Sequence, residues 1–77
     1  MKIILDEYEP KEIIKFVRQC TGLTQEKFGK RVGKSKDTIQ SYELGRNKMT
    51  LDKFIEITKL FELKITIEEA PKNGKSY

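Results

Sequence analysis

Three features of this 77-residue sequence predict a mainly α-helical domain of four helices with a short C-terminal β-strand. Apolar residues recur at helical spacings of three and four in four successive segments. Each segment opens on a proline, threonine or serine that suits a helix start, and the first three are followed by glycine. After Leu63 the spacing changes to two, with Leu63, Ile65 and Ile67 alternating with Lys64, Thr66 and Glu68. A chain this short forms one domain, here placed at residues 1–70, and buries only about 60% of its unfolded surface, so its core is compact or completed by a partner.

The elements follow in chain order. Residues 2–5 (KIIL) form a brief strand or an extended arm. Pro10 suits the first turn of helix 1, where its missing N–H costs nothing, and Ile13, Phe16, Val17 and Cys20 supply one apolar face as far as Gly22. Thr24 caps helix 2, Gln25 and Glu26 fill its first turn, Phe28 and Val32 are its buried pair, and Gly33 ends it. Ser35 caps helix 3, with Asp37 at its positive end and Ile39 and Tyr42 as its core contacts. That helix runs to about Leu44 and stops at Gly45.

Thr50 caps helix 4, where Leu51, Phe54, Ile55, Ile57, Leu60 and Phe61 cover more than one face. Such a helix is central to the core or shared with a second chain. The strand that follows needs a partner, either residues 2–5 or the same strand of another subunit. The tail 71–77, with Pro71 and Gly74 among lysines, is expected to be frayed.

Composition excludes several classes. One cysteine, Cys20, rules out an internal disulfide and fits a reducing cytoplasm. With no histidine, no nucleophile–base pair and no glycine-rich phosphate loop, neither an enzyme nor a cofactor or metal site is expected. Apolar runs are too short for a transmembrane span. Charge is more telling. Residues 1–23 and 49–77 each balance to zero, while 24–48 hold seven cations against three carboxylates, the whole net +4. A basic stripe confined to one segment marks either a surface that meets phosphates or a solvated charged face.

Helices 2 and 3, of about eight and nine residues around a tight turn of about three, fit the helix-turn-helix pattern. Gly33 permits the positive backbone dihedral the turn needs. The segment LTQEKFGKRVGKSKDTIQSYELGRNKMTLDKFIEITKLFEL, residues 23–63, together with a first helix over 13–20, resembles the phage repressor (Cro/cI, XRE-type) helix-turn-helix proteins and covers about two thirds of the chain. The L-T-Q opening, the Gly33 turn, Ile39, the Tyr42–Glu43 pair before glycine and the capped apolar helix beyond carry the likeness. The sequence departs from the family twice. Position 29, usually alanine, is glycine, which stays small but weakens the helix by up to about 1 kcal/mol. A strand is expected where a fifth helix often follows.

The resemblance implies a lambda-repressor-like domain in which helix 3 reads bases through Lys36, Asp37, Thr38 and Ser41. The chemistry suits that role, since lysine can donate to guanine, aspartate can accept from cytosine N4 and serine can do either. Gln25, Lys34 and Ser35 are then phosphate contacts, as are Arg46, Asn47 and Lys48 in the loop after helix 3. Thr24 and Ser35 are sound caps whether or not they meet DNA, and Asp37 can serve the helix dipole alone. Arg18 and Glu43 stand where the family often places an ion pair.

The function implied is a sequence-specific regulator of double-stranded DNA, a repressor binding a palindromic operator. A single module buries too little for specificity, so a homodimer is expected, with Leu63, Ile65 and Ile67 pairing across a two-fold axis. The alternative is an antitoxin-type regulator, resembling the HipB-type antitoxins, that also binds a toxin, or an adaptor or antirepressor partner built on the same fold.

Overall fold

The computed structural model describes residues 2–69, so the tail expectation for 71–77 lies outside the described residues. An extended stretch leads into a single 3-10 turn, η1 (Leu5–Glu7), and four helices follow: α1 (Pro10–Thr21), α2 (Gln25–Val32), α3 (Lys36–Glu43) and α4 (Leu51–Leu60). The predicted caps operate as expected. Thr24, Ser35 and Thr50 each accept, through the side-chain oxygen, from the backbone N–H three residues on, at 3.1–3.2 Å. Gly22, Gly33 and Gly45 all sit at positive φ, a conformation that residues with a side chain rarely adopt.

The core is small. Ile14 and Val17 of α1, Phe28 and Val32 of α2, Ile39 and Tyr42 of α3 and Ile57 of α4 are buried, with Leu23, Met49, Phe54, Phe61 and Leu63 packed around them. Helix α1 turns a different edge inward from the one expected: Ile14, not Ile13, is buried beside Val17, while Ile13, Phe16 and Cys20 are half-buried flanks. Helix α4 buries Ile57 and Thr58 but leaves Leu51, Ile55 and Leu60 exposed. It is therefore not central to the core of the single chain.

Residues 63–69 form no strand, and neither do residues 2–5, so the pairing of these two segments within one chain is corrected. The reason lies at the end of α4. Leu63 donates its N–H to the Thr58 carbonyl at 2.8 Å and Glu62 donates to Lys59 at 3.2 Å, the bond pattern of a Schellman stop. This motif places the residue after the turn against the helix it closes, which accounts for the packing of Leu63 on its own core. Beyond it Ile65 is 45% and Ile67 94% exposed, so the alternation of 63–67 has no second strand among the described residues to act on.

Glu62 occupies the left-handed position of that stop, at φ 56°, where glycine is favoured. Glu62→Gly is expected to stabilise the domain by about 0.5–1 kcal/mol, a net of relieved strain over extra unfolded-state entropy. A midpoint rise of about 4 °C in thermal unfolding would show it, and a fall would mean that the position is unstrained.

Candidate nucleic-acid interface

The turn between α2 and α3 is closed by one carbonyl. Gly29 O accepts from Gly33 and from Lys34, the latter at 2.9 Å, which folds the chain back so that Ser35 can cap α3 at once. Gly29 makes this closeness available. A Cβ at that position would stand 2.5 Å from the Lys34 carbonyl oxygen and 3.4 Å from Ile39 Cγ1, so even alanine requires the turn to move. The weakness of glycine in a helix is offset here by the tight approach of the turn.

A second tie fixes α3 to α1. Glu43 is almost fully buried and receives Arg18 in two-pronged fashion, Nε to Oε2 at 2.6 Å and NH2 to Oε1 at 3.0 Å, while Arg18 NH1 donates to the Leu23 carbonyl at 3.0 Å. The side-chain hydrogen bonds to Glu43 lift the arginine pKa above its ordinary value, outweighing the opposing effect of burial, and the attraction of the carboxylate adds to the rise. Glu43 Oε1 also accepts from Gln25 Nε2 at 3.3 Å, so the first side chain of α2 is oriented by the same carboxylate. An amide nitrogen carries two N–H groups, and this bond uses one of them.

The outer face of α3 follows from its inner one. With Ile39 and Tyr42 buried, helical geometry places Lys36, Asp37, Gln40 and Ser41 together on the opposite side. The first three are exposed and Ser41 is half-buried at the edge. None of the four side chains is hydrogen-bonded or ion-paired among the described residues. Gln40 joins the three expected residues, and its spacing of four from Lys36 and three from Asp37 is the signal in the sequence that reveals it.

Thr38 lies elsewhere. It is half-buried, its N–H bonds Ser35 Oγ at 3.1 Å, and its hydroxyl lies 2.9 Å from the same oxygen. Both hydroxyls thus serve the start of α3, and Thr38 belongs to the capping arrangement more than to the outer face. Lys34 is exposed in the turn.

After α3, Gly45 and Arg46 donate back to Tyr42 and Ser41 at 3.2 and 2.9 Å, and Asn47 to Ser41 at 3.3 Å. This Schellman stop holds the exposed loop of Arg46, Asn47 and Lys48 against the end of the helix. Not every cation of the basic segment is so placed. Lys30 lies 3.7 Å from Glu26 within α2, and the Arg31 guanidinium lies 5.0 Å from the centre of the Phe61 ring. Among the described residues there is no cluster of metal-binding side chains, and no helix is long and apolar enough to cross a membrane.

Comparison with known proteins agrees with this geometry. No curated protein and no solved structure gives a significant match. A family profile described as helix-turn-helix matches residues 14–67, more than half of the chain and all of α2, α3 and α4. A capped helix, a glycine turn, a second capped helix with a polar outer face and a profile match spanning them place this chain in the XRE-type helix-turn-helix family, a family of DNA-binding transcription regulators.

Proposed function

We propose that the protein is a sequence-specific repressor of the phage Cro/cI kind that binds a palindromic operator as a homodimer, with α3 in the major groove. The observation that carries this reading is the outer face of α3, where Lys36, Asp37, Gln40 and Ser41 stand together with no side-chain partner among the described residues. Each can read a base edge: lysine guanine O6 and N7, aspartate cytosine N4, glutamine adenine in two-pronged fashion, serine either polarity. Gln25, at the positive end of α2, and the 46–48 loop flank that face as contacts to the sugar-phosphate backbone.

Specificity from so small a module requires two recognition helices about 34 Å apart, hence two chains. Ile65 and Ile67, exposed on the segment after α4, are the candidate pairing edge, while Leu63 supports that edge from its own core. Catalysis and cofactors have no part in this reading. The exposed apolar residues Leu44, Leu51, Ile55 and Leu60 favour a protein partner on the same side of the function, and an antitoxin-type regulator with a toxin seated there is the alternative. Ile65→Lys tests the pairing edge. Loss of the dimer in sedimentation supports pairing through this segment, and an unchanged dimer removes the segment from the interface.

Selection of bound duplexes from a random library tests DNA reading. A two-fold symmetric site is expected, and Lys36→Ala, Gln40→Ala or Ser41→Ala should each relax preference at one base pair at a cost of about 1–3 kcal/mol. Lys48→Ala should weaken all sequences alike and reduce the salt slope by about one. Equal losses on selected and random DNA for all four variants would remove α3 as the reader.

A further inference from the structure

Lys11 stands outside the basic segment, in the charge-balanced first third of the chain, and plays no part in the site described above. The fold nevertheless brings it to the loop after α3. The methylene stem of Lys11 lies against Gly45: a Cβ built at position 45 would come within 3.1 Å of Lys11 Cδ and 3.9 Å of Lys11 Cβ. Gly45 is followed directly by Arg46, Asn47 and Lys48, whose backbone is tied to α3 through Ser41. The absence of a side chain at Gly45 thus serves twice, permitting the positive φ of 77° and leaving the surface on which Lys11 rests.

The head group of Lys11 is weakly engaged. Its nearest carboxylate among the described residues is Glu9 at 3.7 Å, and the two side chains are 46% and 69% exposed. A pair of this kind is worth at most about 1 kcal/mol, so the ammonium can turn to a stronger anion at little cost. Its long stem, packed against Gly45, leaves only the charged end to be redirected.

We propose that Lys11 is a DNA-backbone contact, completing with Arg46 and Lys48 a phosphate clamp built from the start of α1 and the loop after α3. This rests on the DNA-binding reading and adds to it a contact from a helix outside the helix-turn-helix. Such a contact contributes affinity and register without reading sequence, and its signature is the salt dependence of binding.

Lys11→Gln keeps most of the stem over Gly45 and removes the charge, and Lys59→Ala, in the last turn of α4, removes a charge from another element. Binding of the intact chain to the selected duplex and to a random duplex is followed between 50 and 200 mM salt. Lys11→Gln is expected to lower the log-log salt slope by about one per bound chain, so that its deficit against the wild type shrinks about fourfold per chain across that range, equally on both duplexes. Lys59→Ala should leave the slope unchanged. The proposal fails if Lys11→Gln keeps the wild-type slope while Lys48→Ala lowers it, or if Lys59→Ala lowers it as much. If the wild type binds neither duplex at low salt, the DNA-binding reading fails, and this proposal with it.

Discussion

Arg18→Met is expected to lower the stability of the domain by about 3–5 kcal/mol, a loss comparable to the whole stability of many chains of this size. The single substitution leaves the Glu43 carboxylate, whose side chain is only 5% exposed, buried without the guanidinium that pairs with it. The remaining donor, Gln25 Nε2 at 3.3 Å, is neutral and long. Replacing both partners removes the orphan charge. Arg18→Met with Glu43→Leu should therefore recover most of the loss, since a buried ion pair and a well-packed apolar pair of similar volume differ little in stability. Urea unfolding of the two variants decides it, and a double variant as unstable as the single one would mean that the Arg18 bond to the Leu23 carbonyl, not the charge pair, carries the effect. The pH response is also defined. An arginine whose folded pKa is raised contributes stability that is in place below the unfolded value and is lost only as pH climbs through the arginine range, so this shift imposes no titration near neutrality.

The double variant has a second consequence, for function. Glu43 holds Arg18 on one helix and Gln25 on another, so it sets the angle between α3 and the start of α2. An apolar pair can restore the free energy of folding without restoring that angle or the orientation of the Gln25 amide. Recovery of stability with DNA affinity still reduced is the expected outcome, and full recovery of both would make the tie purely structural.

The helices were legible in the sequence because their boundaries are local chemistry. Thr24, Ser35 and Thr50 accept the N–H groups a helix start leaves unpaired, and glycines at 22, 33 and 45 take the left-handed position that ends α1, α2 and α3. The rotation of α1 was not legible. Ile13, Ile14, Phe16, Val17 and Cys20 offer overlapping apolar faces, and the one that turns inward goes with a contact 25 residues away, Arg18 with Glu43, that periodicity does not register. The segment 63–67 was not legible for a related reason. Alternation over 63–67 describes a half-buried strand only if a neighbouring strand exists, and here Leu63 is drawn inward by the stop of α4.

At the site, residue type was more legible than direction. Lys36, Asp37 and Ser41 do lie on the outer face of α3, but Thr38, adjacent in sequence, is turned toward its cap, and Gln40 takes its place. The net +4 of residues 24–48 was a sound guide to the segment and a coarse one to its surface. Arg31 lies over Phe61, while Lys11, from a segment of zero net charge, reaches the basic loop. Charge counted along a chain shows which elements to examine; packing decides which cations share a face.

Phe28→Ala should cost about 3–5 kcal/mol, because the ring is 1% exposed and its removal leaves a cavity that few neighbours can fill. It also removes a stack. The Phe28 and Phe61 rings lie 5.4 Å apart and 11° from parallel, joining α2 to the residue that closes α4, and Arg31, one turn along α2, lies 5.0 Å from the centre of that ring. Helix α4 approaches the other helices less closely along its backbone than they approach one another, so it depends on side chains such as these. Phe61 is half-buried, and Phe61→Ala should cost less than Phe28→Ala while acting more locally, with amide exchange quickening over residues 51–60 before it does over α3. A double-mutant cycle should give a coupling of about 0.5–1.5 kcal/mol, the usual worth of an aromatic pair beyond its burial. If Phe61→Ala proves the more costly, the core is organised around α4. The helix-turn-helix would then be stable only with α4 docked, and any partner that moved α4 would also move α3.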